Sequence, residues 1–420
     1  MTNKTLVKAE IMAPAGSYEA LRAAINAGAQ SIYFGIEQLN MRARAADNFT
    51  TEDLKKIVAI CQGEKVKTYL ALNTIMYDHD ITLMEKICKT AKEAGVNAVI
   101  CSDVAALLYA RSIGLEVHLS TQTNVTNIES VKFYAQFADV IVLARELTLQ
   151  QIAVICTEIK KQNILGPKGK PMEIEIFVHG ALCVAISGKC YMSLATYNSS
   201  ANRGACLQNC RRSYRVIDEE TGDELVVNNK YIMSPKDLCT IGFIDKILDA
   251  GVRVLKIEGR GRAPEYVATT VRVYKEAVDS YYDGTYTPEK IEQWTKELET
   301  VFNRGFWHGG YYLGKQLGEW SATYGSKATT EKVYLGKVRN YYQKTKVGEF
   351  YLESGTLKVG EEIYVMGPTT GVVQTKVTSL LWNDKKVSAV TKGSVVTIPV
   401  GEKIRENDQL YKIVPAKREE

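Results

Sequence analysis

Short apolar runs alternate with longer amphipathic segments through about the first 280 residues, and this alternation limits the possible fold more than any other feature. The amphipathic segments carry apolar residues at three- and four-residue spacing, as Leu54, Ile57, Val58 and Cys61 do, and this is the period of a helix. Repeated strand–helix units build parallel sheets. The apolar runs predict eight strands, at residues 9–14, 31–35, 67–72, 97–101, 115–119, 139–143, 173–178 and 252–257. We therefore predict an α/β fold with a distorted (β/α)₈ barrel of the TIM type over residues 1–283.

The connection between the seventh and eighth strands is too long for a simple loop. It predicts an inserted, cysteine-rich element over residues 179–240, in which 214–217 and 224–227 form a hairpin. Residues 284–330 read as a linker with one helix, at 288–302, and a stretch rich in glycine and aromatic residues. A helix at 263–283 would close the barrel before this linker.

The pattern of apolar residues changes again at residue 331. From there, short segments with the composition of β-strands follow one another, and no helical spacing occurs between them. Strands are expected at 334–338, 347–352, 362–366, 372–380 and 394–398, which favours a small antiparallel β-barrel over 331–420. This segment has 15 Lys/Arg and 11 Asp/Glu, a net +4, whereas the rest of the chain is nearly neutral. A small barrel of this kind often binds RNA or protein, although a lysine-rich solvated surface would give the same charge balance.

Composition excludes several classes of protein. Apolar residues make up 45% of the 420 residues and charged residues 24%, as in ordinary globular proteins. No run of 18 uncharged apolar residues occurs, and the N-terminus lacks the apolar core of a signal peptide. We therefore expect a cytoplasmic protein that has no membrane partner, with its cysteines reduced.

Four of the nine cysteines, Cys183, Cys190, Cys206 and Cys210, fall within 28 residues. Four thiolates can complete either a tetrahedral zinc site or a [4Fe–4S] cluster. The long spacings between Cys183, Cys190 and Cys206 favour a loop that surrounds an iron–sulfur cluster. A zinc site and four unligated cysteines remain alternatives. Cys61, Cys88, Cys101 and Cys156 lie among apolar residues and are expected to be buried. Cys239 is a possible fifth thiol, expected to be buried or to act as a substitute ligand.

Polar residues follow the predicted strands, and active sites of such barrels lie at the carboxyl ends of the strands. The expected substrate-binding residues at this mouth are Arg42, Arg44, Asn73, Gln122, Arg145 and Arg260. Several arginines around one mouth favour an anionic ligand, either a small carboxylate or RNA phosphate. The candidate catalytic residues are His179, Glu175 and Glu258. His179 could cap its strand and touch the cluster, or be a buried structural histidine.

The last two cysteines are surrounded by Arg203, Arg211, Arg212 and Arg215, with no acidic residue between them. These arginines could contact RNA phosphates, and Arg203, Arg211 and Arg212 are therefore added to the substrate-binding residues. They could equally compensate the negative charge of a thiolate-bound cluster. Protease motifs are mostly absent: no histidine is followed by glutamate as a HExxH zinc site requires, and no G-x-S-x-G elbow occurs.

Several motifs together resemble the peptidase family U32. They comprise Met12 to Ser17, Ala27 to Gly35, Glu175 to Cys183, Ser187 to Ser193, Asn202 to Arg211 and Lys256 to Arg260. The match spans nearly the whole chain, and its cysteine signature is specific. Within the family the chain is similar to bacterial tRNA hydroxylation proteins and to proteins labelled collagenase-like proteases.

The resemblance implies a distorted TIM-type barrel, a [4Fe–4S] cluster on the four cysteines, and hydroxylation of the wobble uridine of tRNA at C5. It also implies prephenate, a small dicarboxylate, as a metabolite required for the modification, and the tRNA anticodon region as partner. A homo- or hetero-oligomer is compatible with the sequence. The alternatives are a collagenase-type peptidase and a non-catalytic RNA-binding protein with a structural metal.

Overall fold

The computed structural model describes residues 8–43, 48–224, 233–315, 319–323 and 325–417. The first ten strands are β1 (Glu10–Pro14), β2 (Ser31–Phe34), β3 (Lys67–Leu72), β4 (Ala98–Cys101), β5 (Glu116–Leu119), β6 (Val140–Val142), β7 (Glu173–Gly180), β8 (Asp237–Cys239), β9 (Val254–Ile257) and β10 (Phe306–His308). The helices are α1 (Tyr18–Asn26), α2 (Asp53–Gly63), α3 (Ile81–Ala94), α4 (Val104–Ser112), α5 (Ile128–Tyr134), α6 (Leu149–Lys161), α7 (Met192–Tyr197), α8 (Ile244–Asp249), α9 (Pro264–Tyr282) and α10 (Pro288–Thr300).

Eight parallel strands close into a barrel. Strands β1 to β7 pair in chain order, and β9 pairs with both β7 and β1, which completes the ring. Strand β8 adds to β7 in the antiparallel direction, and β10 extends the sheet beyond β8. The predicted (β/α)₈ barrel is confirmed, and the insertion after β7 with the appended β8 and β10 accounts for its distortion.

Local signals explain where the helices begin. The Ser17 side chain accepts a hydrogen bond from the Ala20 amide at the start of α1, and Asp103 accepts one from the Ala105 amide at the start of α4. A capping box of Thr148 and Gln151 begins α6. Helices α9 and α10 both open on a proline, whose missing amide proton costs nothing there.

Two apolar layers hold the barrel together. The outer layer lies between the strands and the helices and includes Ile32, Phe34, Leu70 and Val117. The barrel interior contains a smaller cluster, comprising Met12, Tyr33, Tyr69, Ala98, Ile100, Val140 and Val254. Neighbouring residues of β2 therefore face opposite sides, as the alternation of a strand requires.

The C-terminal region is antiparallel, as expected. Its strands are β11 (Thr330–Tyr342), β12 (Val347–Leu352), β13 (Thr356–Lys358), β14 (Glu362–Gly367), β15 (Gly371–Lys376), β16 (Leu380–Trp382), β17 (Lys385–Val387), β18 (Ala389–Thr391), β19 (Val395–Pro399) and β20 (Gln409–Pro415). Eight form one sheet in the order β15-β14-β20-β11-β12-β19-β16-β17, and β13 pairs with β18. The sequence missed the short strands β13, β17 and β18 and also β20, which lies between β11 and β14, and it merged β15 with β16.

The C-terminal sheet packs against the helical layer of the barrel. Gly371 has a φ of +75°, and a Cβ there would lie 2.9 Å from the amide nitrogen of Ala23 in α1. Asn26 donates a hydrogen bond to the Thr370 carbonyl oxygen at 3.1 Å, and Lys332 pairs with Glu265 of α9 at 2.8 Å. Glycine at position 371 thus permits the close approach of the two regions.

Candidate functional site

A cavity of about 210 Å3 opens at the carboxyl ends of the barrel strands. Its wall includes Tyr33 of β2, Ile100 of β4, Phe177 of β7 and Lys256 of β9, together with residues of the loops that follow the strands. The insertion after β7 covers one side through Cys183, Gly188, Cys206 and Cys210. The cavity therefore lies where barrel enzymes carry their active sites.

One carboxylate, that of Glu258, stands among the arginines of the cavity. Arg42 forms an ion pair with Glu258, and the Tyr33 hydroxyl donates to Glu258 Oε2 at 3.2 Å. Burial alone would raise the pKa of Glu258, but Arg42, Arg145 and Arg260 outweigh burial and lower the pKa to about 2. Glu258 is thus an anion at neutral pH that holds the arginines in place.

Arg260 is nearly fully buried beside the cavity and donates to the side-chain oxygen of Asn40. A Cβ at Gly35 would contact the Arg260 guanidinium, so glycine at position 35 gives this guanidinium room where it lies. Burial lowers the pKa of Arg260 to about 10, and the nearby charge of Arg42 acts in the same direction. Gly35 and Asn40 of the segment after β2 therefore accommodate the buried guanidinium of Arg260.

Arg145 lies across the face of Phe177, with its guanidinium carbon 3.8 Å from the ring centroid. Its Nη1 donates to the Ala181 carbonyl oxygen at 3.1 Å, while its Nε is buried and has no hydrogen-bond partner among the described residues. The side-chain nitrogen of Gln122 is likewise buried and has no hydrogen-bond partner among the described residues. Since buried donors are nearly always satisfied, these two leave hydrogen-bonding capacity unused in residues that line the cavity.

A chain of buried charges runs inward from the cavity. Lys256 Nζ lies 2.7 Å from Glu175 Oε1, and Glu175 Oε2 lies 3.7 Å from His118 Nδ1. The other ring nitrogen of His118 lies 3.4 Å from Glu116, which also pairs with Lys168 at the opposite end of the barrel. Burial opposes the charge on His118, but the attraction of Glu116 and Glu175 outweighs burial and raises its pKa to about 9.

The four clustered cysteines lie close together beside the cavity. Cys183, Cys206 and Cys210 line it, and Cys190 is close enough for its charge to act on Cys210. Burial raises the pKa of the Cys210 thiol to about 11, with Arg211 opposing the rise and the other three thiols adding to it. Cys61, Cys88, Cys101, Cys156 and Cys239 are buried, as expected.

The donor set consists of four free cysteine thiols of one insertion, and four thiolates can complete either a [4Fe–4S] cluster or a tetrahedral zinc site. No three His, Cys, Asp or Glu side chains among the described residues are arranged to hold one metal ion. The guanidinium groups of Arg42 and Arg211 interact with Cys206 and with Cys183 and Cys210, respectively, and would offset the charge of such a cluster.

The structure brings most of the expected substrate-binding residues to one place. The cavity is lined by Arg42, Asn73, Gln122, Arg145, Arg211 and Arg260, and by the candidate catalytic residue Glu258. Arg211 also anchors the insertion, because its guanidinium donates to the carbonyl oxygens of Leu182 and Pro235. Arg44 lies outside the described residues, as do residues 225–227 of the expected hairpin.

Four expected site residues do not line the cavity. Glu175 lies behind Lys256, Arg203 pairs with Asp80 of the segment between β3 and α3, and Arg212 is exposed. His179 faces away from the cavity among Tyr266, Tyr274 and Phe306. Burial lowers the pKa of His179 to about 3, so it is neutral at pH 7. Of the two readings of His179, the structure agrees with the buried structural histidine.

Sequence reasoning missed Lys256, His118 and Tyr33. Lys256 had a visible signal, because a lysine within the apolar run Val254 to Ile257 must be buried with a partner. His118 interrupts the apolar strand β5 in the same way. Tyr33 gave no signal, since a tyrosine in a strand is ordinary.

No helix within the described ranges is long and apolar enough to cross a membrane. The family model for peptidase family U32 matches residues 16–322, which include the barrel from α1 onward, the insertion and the cavity. The chain belongs to this family. The match thus covers every residue that lines the cavity, whereas the whole C-terminal sheet lies beyond it.

Proteins that are similar to this chain carry different names. The chain is 58% identical to a protein named collagenase from Porphyromonas gingivalis, over 98% of this chain and 99% of that protein. It is 32% identical to tRNA hydroxylation protein P1 of Bacillus subtilis, over 86% of this chain and 84% of that protein. It is 34% identical to the 23S rRNA 5-hydroxycytidine C2501 synthase of Escherichia coli, over 64% of this chain and 39% of that protein.

Proposed function

We propose that this U32 protein is an iron–sulfur enzyme that hydroxylates RNA, with C5 of the wobble uridine of tRNA as its target. The observation that carries the proposal is the cavity itself, where cysteine thiols of the insertion meet several arginines and one ionised carboxylate. Two relatives that are named for RNA hydroxylation support the reaction class.

The residues that would hold a [4Fe–4S] cluster are Cys183, Cys190, Cys206 and Cys210. When bound, the cluster supplies electron transfer at the edge of the cavity. Thiols must lose their protons to bind iron, so the raised pKa of Cys210 means that loading releases a proton.

The cations of the cavity suit a small dicarboxylate, and we propose prephenate as this ligand. Arg145 presents a buried, unpaired Nε, and Arg42 and Arg260 flank the Glu258 carboxylate. A guanidinium binds a carboxylate through two parallel hydrogen bonds, which fixes the orientation of the ligand. Glu258 keeps Arg42 pointed into the cavity, and the Tyr33 hydroxyl orients Glu258.

The RNA base would enter the same cavity from the open end. The wobble position lies in a single-stranded loop, so extruding its base costs less than in a duplex. The basic C-terminal sheet would hold the remainder of the tRNA through its phosphates.

The second candidate function is peptidase activity, which is favoured by the collagenase name of a relative at 58% identity. None of the four histidines lines the cavity, so Ser187 and Cys183 have no imidazole base there. His118 lies in strand β5 of the barrel, where it is buried between the carboxylates of Glu116 and Glu175. Acyl transfer by a serine or cysteine nucleophile needs an adjacent base, which weighs against this function.

Nucleoside mass spectrometry of tRNA and rRNA from a deletion strain tests the proposal. We expect 5-hydroxyuridine to disappear from tRNA and to return when the wild-type gene is restored. Unchanged 5-hydroxyuridine would overturn the proposal. Cleavage of denatured collagen by the anaerobically purified protein would favour the peptidase.

A further inference from the structure

One segment of the insertion, residues 181–217, is basic without a single acidic residue. Residues 181–217 include Lys189, Arg203, Arg211, Arg212 and Arg215, and contain no Asp or Glu. A chain in which a quarter of the residues are charged rarely leaves so long a segment free of acids. Such a surface is complementary to a polyanion.

Three tyrosines expose their rings on and beside this segment. Tyr191 is 75% exposed, Tyr77 is 52% exposed and Tyr197 is 44% exposed. The other strongly exposed tyrosines of the described residues, Tyr342 and Tyr351, lie in the C-terminal sheet. We refer to Tyr77, Tyr191 and Tyr197 as the tyrosine rim.

The tyrosine rim is carried by the insertion and by the loop after β3, two segments that contact each other. Tyr191 is three residues from Gly188, which lines the cavity, and Tyr197 ends the helix that Tyr191 precedes. Tyr77 belongs to the loop after β3, and the insertion joins this loop where the Ile75 amide donates to the Asn202 carbonyl oxygen at 3.0 Å. Gly188 of the insertion and Asn73 of the loop after β3 both line the cavity, so the two chain segments that carry the tyrosine rim also reach the cavity.

Arginines of the insertion lie on two of these rings. The guanidinium carbon of Arg203 is 4.1 Å from the centroid of Tyr77, and that of Arg212 is 5.1 Å from the centroid of Tyr197. Asp80 neutralises Arg203 and fixes it, so this guanidinium contributes a flat surface more than a free charge. Planar guanidinium and aromatic groups are the platforms on which unstacked bases lie.

We propose that the tyrosine rim is a stacking platform for the unpaired bases of a single-stranded RNA loop. The platform holds the nucleotides on either side of the target base while that base enters the cavity. This inference rests on the proposed RNA-modifying function and names the contact that selects loops over duplex. Base stacking depends on a π-face and not on base identity, so the platform fits loops of many sequences.

A binding measurement tests the platform without any need for catalysis. The full-length protein is titrated into two labelled RNAs, a hairpin with an anticodon-like loop and a blunt duplex of the same base composition, by fluorescence anisotropy at several salt concentrations. Tyr191→Ala and Tyr197→Ala should each weaken hairpin binding about 5- to 140-fold, the equivalent of about 1–3 kcal/mol for one lost stacking contact. Tyr191→Phe keeps the ring and should bind within about twofold of the wild type.

The salt dependence separates stacking from charge. Because Tyr191→Ala removes no cation, the slope of log affinity against log salt should stay the same for this variant. Phe133→Ala is the matched control, since Phe133 is an exposed aromatic residue of the helical layer, at 55% exposure, and its loss should leave binding unchanged.

Three results would overturn the platform: wild-type affinity in both alanine variants, equal binding of hairpin and duplex, or equal damage from Tyr191→Phe and Tyr191→Ala. A protein that binds neither RNA would overturn it as well. If the hairpin binds through the tyrosine rim but 5-hydroxyuridine is unaffected by deletion of the gene, the hydroxylation proposal fails while the platform stands.

Discussion

The ammonium group of Lys256 lies 2.7 Å from the buried carboxylate of Glu175, on adjacent strands β9 and β7 of the barrel. Lys256 lines the cavity and Glu175 does not, so the pair connects the site to the barrel interior. Burial would raise the pKa of Glu175, but Lys256 and His118 outweigh burial and lower it. The ammonium group of Lys256 is therefore held at the wall of the cavity by its ion pair with Glu175.

The first prediction concerns this pair. Lys256→Met and Glu175→Gln should each destabilise the protein by about 3–5 kcal/mol, because each leaves its partner buried without an opposite charge. The double variant should cost clearly less than the sum of the two. Urea unfolding of the four proteins measures this coupling, and additive effects would show that the two charges do not support each other.

The second prediction concerns the pH dependence of stability through His118. Its pKa rises from about 6.5 in the unfolded chain to about 9 in the folded protein. The stabilisation is therefore fully present below about pH 6.5 and is lost as the pH rises through 9. The wild type should lose up to about 3 kcal/mol relative to His118→Gln between these limits, measured by urea unfolding at each pH. A constant difference between the two proteins would show that His118 is not charged in the barrel.

The third prediction separates the two groups of cysteines. Replacing Cys183, Cys190, Cys206 or Cys210 by Ser should abolish retention of iron and sulfide in anaerobically purified protein, since each thiolate binds one iron atom. Replacing Cys61 or Cys88, whose thiols are buried with their pKa raised to about 12, should leave roughly four irons per chain. Stoichiometric zinc without iron in the wild type would count against the cluster.

Much of this arrangement could be predicted from the sequence because local patterns determine it. Helical spacing and apolar runs located all eight barrel strands, and the spacing of Cys183 to Cys210 located the candidate cluster site. The placement of His179 could not be predicted, because an irregularity in β7 between Phe177 and His179 decides which side that ring faces. The Lys256–Glu175–His118 chain depends on contacts across the barrel, which no local pattern encodes.

The fourth prediction concerns the ligand of the cavity. Arg145→Lys should weaken prephenate binding at least about tenfold by isothermal titration calorimetry, because lysine keeps the charge but loses the planar pair of donors. Arg272→Lys is the control, since Arg272 pairs with Glu276 and Glu297 on the outer helices. Equal affinity in the wild type and in Arg145→Lys would reject this residue as a ligand contact.

The fifth prediction concerns tRNA docking by the C-terminal sheet. Lys344, Lys346, Lys385 and Lys386 are exposed there. Replacing all four by Gln should weaken tRNA binding and make log affinity depend less steeply on log salt, because fewer counterions are released. An unchanged salt slope would assign this sheet to another partner.

The most direct test of the account is the 5-hydroxyuridine content of tRNA in a deletion strain that carries single-cysteine variants. We predict that Cys61→Ser restores the modified nucleoside to the wild-type level. Cys206→Ser should restore none, although this variant accumulates to the same amount as the wild type. Full restoration by Cys206→Ser, or failure of the wild-type gene to restore the nucleoside, would contradict the account.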